Sequence, residues 1–150
     1  MGNLARSVAA AAVASRTLVC VLALLADALV EDYDRSTYLS PKSCTTERDP
    51  LTHLSAQPRF CARLEGLVAW DSVWFLRIAE CGYEYEHTHA FFPMLPALMR
   101  LLHTPVAFVT EPFTGPMPPR CQLVLSGFLL SNALFVLSAV CFFKLSATVL

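Results

Sequence analysis

Two long apolar runs constrain this chain more than anything else in it. Residues 7–30 read SVAAAAVASRTLVCVLALLADALV, and residues 121–143 read CQLVLSGFLLSNALFVLSAVCFF. Each is long enough to cross a bilayer as a helix. The second holds no charged residue, and Lys144 closes it. The first is interrupted by Arg16 and Asp27. A charge inside a span is costly, so Arg16 should face protein. Arg6 precedes the first run, and Glu31, Asp32 and Asp34 follow it. Basic flanks stay in the cytoplasm. The sequence therefore predicts a cytosolic terminus over 1–6, a first transmembrane helix over 7–30, a luminal region over 31–120, a second transmembrane helix over 121–143, and a short end over 144–150. A rival reading makes the first run a cleavable signal peptide, with Ala26-Asp27-Ala28 as its small-residue cleavage site. Both readings send the middle of the chain across the same membrane.

Composition agrees with this division. The chain is 55% hydrophobic and only 15% charged, where a soluble domain is nearer a quarter charged. The net charge of -1 gives no case for nucleic-acid binding. The six cysteines form no CxxC pair, which argues against a zinc ribbon or thioredoxin-type site. Cys20 and Cys141 lie in apolar runs and read as small hydrophobes. Two of Cys44, Cys61 and Cys81 could pair if the middle faces an oxidising lumen. Gly127 and Ser131, four apart on the second span, could admit a close helix neighbour or be merely tolerated. The chain stops at Leu150 in an apolar stretch, as an interrupted protein would.

Inside the middle region, Pro41, Pro50 and Pro58 mark residues 31–59 as loop. A helix is predicted over about 60–81, stopped by Gly82, and a second over about 90–103, with Pro93 and Pro96 near its start. Residues 104–120 are proline-rich and read as loop. In the first of these helices Leu64, Leu67, Val68, Trp74, Phe75 and Ile78 form one apolar stripe at helical spacing. Asp71 falls within that stripe. A carboxylate there must be paired, solvated by a cavity, or functional. The structural alternatives are an ion pair with Arg77 or Arg63, or an N-cap at a helix break near Trp70. Downstream, Glu80, Glu84, Glu86, His87 and His89 crowd together. They could hold a cation or a phosphate-bearing ligand, with Arg77 and His87 as donors. They could equally be a solvated loop. His87-x-His89 has no diagnostic metal spacing, and neither metal nor cofactor is expected.

These residues carry a resemblance. Trp70-Asp71, then Phe75-Leu76-Arg77-Ile78-Ala79-Glu80-Cys81-Gly82-Tyr83, then Tyr85-Glu86-His87, then Ala90-Phe91-Phe92-Pro93 resemble the first luminal loop of the PIG-V family, GPI mannosyltransferase 2. The likeness extends more loosely over the first span with Arg16 and the last with Asn132. It implies an all-α membrane protein, the amino-terminal part of a GT-C-like multi-pass glycosyltransferase of the endoplasmic reticulum membrane. Such enzymes add the second mannose of the GPI core in α1,6 linkage. The donor is dolichol-phosphate-mannose, and the acceptor is mannosyl-glucosaminyl-phosphatidylinositol. A small accessory membrane subunit is a further partner. On this resemblance Asp71 is the catalytic base of an inverting transfer, and Trp70, Arg77, Glu80, Glu86 and His87 bind substrate. Family members are several times longer, so these 150 residues alone are not expected to transfer mannose. The competing class is a non-catalytic membrane protein whose Asp71 makes only a structural ion pair.

Overall fold

A computed structural model describes residues 2–30 and 59–149 of the chain. Of the loop expected over 31–59, residues 31–58, with Cys44, lie outside these, and Arg59 is the first residue of a helix. The described residues are helical throughout: α1 (Gly2–Leu29), α2 (Arg59–Glu65), α3 (Asp71–Cys81), a 3-10 turn (Glu86–Ala90), α4 (Met94–Thr114) and α5 (Pro119–Val149). They divide into two compact units, residues 1–31 with 128–150, and residues 32–127.

The first unit joins α1 to the later part of α5. Helices α1 and α5 are the two long and apolar enough to cross a membrane. α1 begins five residues before its expected span and ends one residue short of it, while α5 runs past its expected span at both ends. Pro119 occupies a first-turn position, where its missing N–H costs nothing. Leu18, Leu22, Leu25, Leu137, Phe142 and Leu145 are all exposed. An apolar surface of this extent needs a non-aqueous cover. The polar side chains on these faces meet each other. Arg16 Nε donates to Asn132 Oδ1 at 2.9 Å, and the Arg16 guanidinium lies 4.9 Å from the centre of the Phe135 ring. Asn132 Nδ2 in turn donates to the Phe128 carbonyl.

The second unit has a core of its own. Cys61, Leu64, Val68, Val73, Leu76, Ala79, Met99, Ala107, Met117, Cys121, Leu123 and Val124 bury one another. A disulfide joins Cys61 on α2 to Cys121 on α5. Cys81 is also disulfide-bonded. Cys61 thus pairs outside the set of Cys44, Cys61 and Cys81 that the sequence offers, with a cysteine at the start of the second apolar run. Gly127 is the close-approach position on α5. A β-carbon there would come 2.9 Å from Met99 Cε, and the neighbouring Ser126 hydroxyl donates to the Met99 carbonyl. Ser131 is exposed and takes no part.

The helix expected over 60–81 is two helices, with a break at residues 66–70. Arg120 shows why. Its Nε lies 2.8 Å from Glu65 Oε1, and its Nη1 lies 2.9 Å from Glu80 Oε2. In one continuous helix Glu65 and Glu80 would stand about 22 Å apart. Only a break in the helix that turns the chain brings both to one guanidinium. The second predicted helix starts later and runs further than 90–103. Pro105 and Pro112 lie inside α4. Burial of Met99 and Ala107 holds the helix through them. Thr110 and Thr114 bond back to the carbonyls of Val106 and Thr110. Gly115, at φ 80°, ends it.

Candidate functional site

The site begins at the break. Trp70 has φ 54° and is 89% exposed. A bulky residue in the left-handed region stores strain of about 1–3 kcal/mol, and such residues cluster at functional positions. The Val73 N–H bonds the Trp70 carbonyl at 3.1 Å and closes the first turn of α3. Asp71 is the first residue of that turn, where a carboxylate suits the helix dipole. It is exposed and does not interrupt a continuous apolar stripe. Among the described residues it has no ion pair and no side-chain hydrogen bond. The structure thus supplies the helix break expected near Trp70, but with Trp70 and not Asp71 as the N-cap, and without the ion pair with Arg63 or Arg77.

The rest of α3 faces inward. Val73, Leu76, Arg77, Ile78 and Ala79 are buried. Gly82, at φ 82°, ends the helix by donating to the Ile78 carbonyl. Arg77 is 4% exposed, and its Nη2 sits 2.7 Å from Glu84 Oε2. Glu80 is likewise interior, and both its oxygens lie 2.9 Å from Arg120 Nη1. Burial pushes the Glu80 carboxyl above its usual range, and the Arg120 charge pulls only part of the way back.

Residues 83–92 fold over the outer side of α3 as an aromatic cover. The Tyr83 hydroxyl donates to the Phe91 carbonyl at 2.7 Å, and Phe91 packs edge-on to Phe75. Thr88 is fully buried, and its hydroxyl donates to the Tyr85 carbonyl. This pins the 3-10 turn. His87 then lies between two rings, edge-on to Trp74 at 4.5 Å and stacked on Tyr85 at 5.5 Å. Glu86 is exposed beside it.

The six residues picked from sequence therefore separate. Trp70, Asp71, Glu86 and His87 lie at the surface, while Arg77 and Glu80 are tied into the interior. Sequence reasoning passes over Glu65 and Arg120, which hold the two helix pieces together, and over Trp74 as a ring packed against His87 beside Tyr85. The signal for Arg120 was its place: a lone cation heading an uncharged run, beside Cys121.

Two helices long and apolar enough to cross a membrane, and a helical unit with its own buried core, are the features of a membrane protein. The family follows from comparison. The family model described as Mannosyltransferase (PIG-V) matches residues 5–150, and the chain belongs to that family. It is 34% identical to GPI alpha-1,6-mannosyltransferase 2 of Rattus norvegicus, over 93% of this chain and 26% of the rat protein. The Homo sapiens protein of the same name gives the same identity and coverage. GPI mannosyltransferase 2 of Drosophila melanogaster is 33% identical, over 59% of this chain and 19% of its own length. The chain thus spans about a quarter of the mammalian relatives it matches. No solved structure matches it.

Proposed function

We propose that this chain supplies the acceptor-activating part of a GT-C-like mannosyltransferase of GPI-anchor biosynthesis. The reaction adds the second mannose, in α1,6 linkage, from dolichol-phosphate-mannose on the luminal side of the endoplasmic reticulum membrane. The observation that carries this reading is Asp71: exposed, unpaired, and set beside a strained and exposed tryptophan in a chain of this family. An inverting transfer needs one displacement. The acceptor 6-oxygen forms a bond to the anomeric carbon, the bond from that carbon to the phosphate oxygen breaks, and dolichyl phosphate leaves with the electron pair. Asp71 takes the hydroxyl proton as the oxygen attacks. The departing phosphate needs no dedicated acid, in contrast to most glycosidases.

The other residues divide by position. Trp70, Glu86 and His87 contact substrate. Arg77 and Glu80 act as positioning residues, holding α3 through Glu84 and Arg120. The disulfides of Cys61, Cys121 and Cys81 support an oxidising, luminal setting for the 32–127 unit. Both ends of the chain then face the cytosol. The acceptor is the mannosyl-glucosaminyl-phosphatidylinositol lipid, and a small accessory membrane subunit completes the set of partners.

The test grafts this chain in place of the matching segment of human GPI alpha-1,6-mannosyltransferase 2, in cells lacking that enzyme. Asp71→Asn is expected to lower mannose transfer by about a hundredfold to ten-thousandfold at normal protein level. The single-mannose precursor should accumulate. Near-normal transfer by Asp71→Asn would remove the base assignment. Trp70→Gly should also reduce transfer, yet raise stability by about 1 kcal/mol because the backbone strain is relieved. A residue kept only for the fold would do neither.

A further inference from the structure

The mechanism leaves one charged group unused. Arg16 stands near the middle of α1, in a helix apolar enough to cross a membrane. Its guanidinium carries five N–H donors and a full positive charge. Among the described residues its polar partner is the Asn132 side chain, through Nε, and its other neighbour is the Phe135 ring. Both are neutral. Arg16 is half-buried, and no buried side-chain nitrogen or oxygen lacks a partner. Its terminal nitrogens are therefore open at the helix surface. Hydrocarbon offers them nothing, and an uncompensated cation at that depth is costly. Asn132 and Phe135 fix the side chain in place without cancelling its charge.

We propose that this open guanidinium is a docking point for another membrane helix, of different sequence, that carries an aspartate or glutamate in its middle third. Three observations select this occupant. The site is cationic, so the occupant is anionic. It lies too deep for phospholipid headgroups, since Asp27, near one end of the span, is about 16 Å further along the helix. A second copy of this chain does not fit either. Two copies inserted the same way bring Arg16 level with Arg16, and Asp27 stands about three turns off.

The experiment places the intact chain, with an amino-terminal fluorophore, in phosphatidylcholine bilayers. The probe is a labelled poly-leucine transmembrane peptide with one central Asp, and energy transfer reads association. The central-Asp peptide should associate roughly tenfold more strongly than its all-Leu or Asn counterparts. Moving the Asp by two turns should abolish the gain. Arg16→Leu should abolish it too, and Arg16→Lys should restore part of it. If Arg16→Leu fails to insert, Asn132→Leu gives the second reading. It keeps the charge but frees the side chain, so the preference for a central over a shifted Asp should fall. Equal association of Asp, Asn and Leu peptides would overturn the proposal. So would loss of the Asp preference in phosphatidylglycerol bilayers, which would assign the anion to lipid phosphate.

Discussion

The two units of this chain are stabilised by opposite means. In the 32–127 unit, carboxylates and guanidinium groups meet inside an apolar core, and a covalent bridge fixes two helices. In the unit made by α1 and the later part of α5, leucines and phenylalanines are exposed and the polar linkage is short: Arg16, Asn132 and the Phe135 ring. The first pattern is that of a small domain in water, where too small a core is supplemented by cross-links. The second is that of helices in lipid, where burial drives little and a few polar contacts set the pairing. One sequence of 150 residues is thus written for two solvents.

Removing the bridge should give the largest effect. A Cys61→Ala, Cys121→Ala double variant is expected to lose about 4 kcal/mol from the 32–127 unit, from loop-closure entropy. The α1 helix should stay intact. Hydrogen exchange in micelles would show protection lost from α3 and kept in α1. Loss from both would break the contrast.

Arg120→Met comes next. It leaves Glu80 and Glu65 without their shared cation. A fully buried pair costs about 3–5 kcal/mol to break. The Arg120 side chain is 30% exposed, so about 3 kcal/mol is expected. Denaturant midpoints in mild detergent would measure it. Arg120 also shows what sequence could not reveal. The spacing of Leu64, Leu67, Val68, Trp74, Phe75 and Ile78 is helical, and both pieces are helical. Periodicity does not register the break between them, because it is blind to a partner contributed by Arg120, 40 residues beyond Glu80. The two long apolar helices were legible from hydropathy alone, since an apolar run of that length is read directly from the sequence. So was the break at Trp70, as an alternative. The prolines of α4 misled for the opposite reason. Pro105 and Pro112 disfavour a helix locally, and burial of Met99 and Ala107 overrides them. At the site, residue types and the family resemblance picked out Asp71 and Trp70, which the structure places at the surface. They could not tell that Arg77 and Glu80 point into the core, because a charged side chain reads the same on either face.

Asn132→Leu should be milder, about 0.6 kcal/mol, in keeping with polar contacts between membrane helices. Energy transfer between labels on α1 and α5 would report it. A loss as large as that of Arg120→Met would mean that the membrane unit follows the rules of the aqueous one.

The smallest effect is a pH slope. Burial raises the Glu80 pKa above 4.5, so folding favours its protonated form. Its contribution is fully present below pH 4.5 and is lost as pH rises through the raised value. Wild type should therefore gain stability over Glu80→Gln on acidification toward that pH. Melting temperatures of both proteins between pH 4 and 7 would show the opposite slope if the Arg120 charge outweighed burial, and parallel lines if the two cancelled.

The bridge between Cys61 and Cys121 joins positions separated by 60 residues. It closes the backbone of α3, the 3-10 turn and α4 into a covalent ring. A protease that cuts once inside that ring opens it but releases nothing. The nicked protein keeps its full size on a gel until a reducing agent is added, and only then falls into two pieces. A single cut is therefore invisible without reduction, and the residues around Asp71 stay attached to the rest of the chain after it.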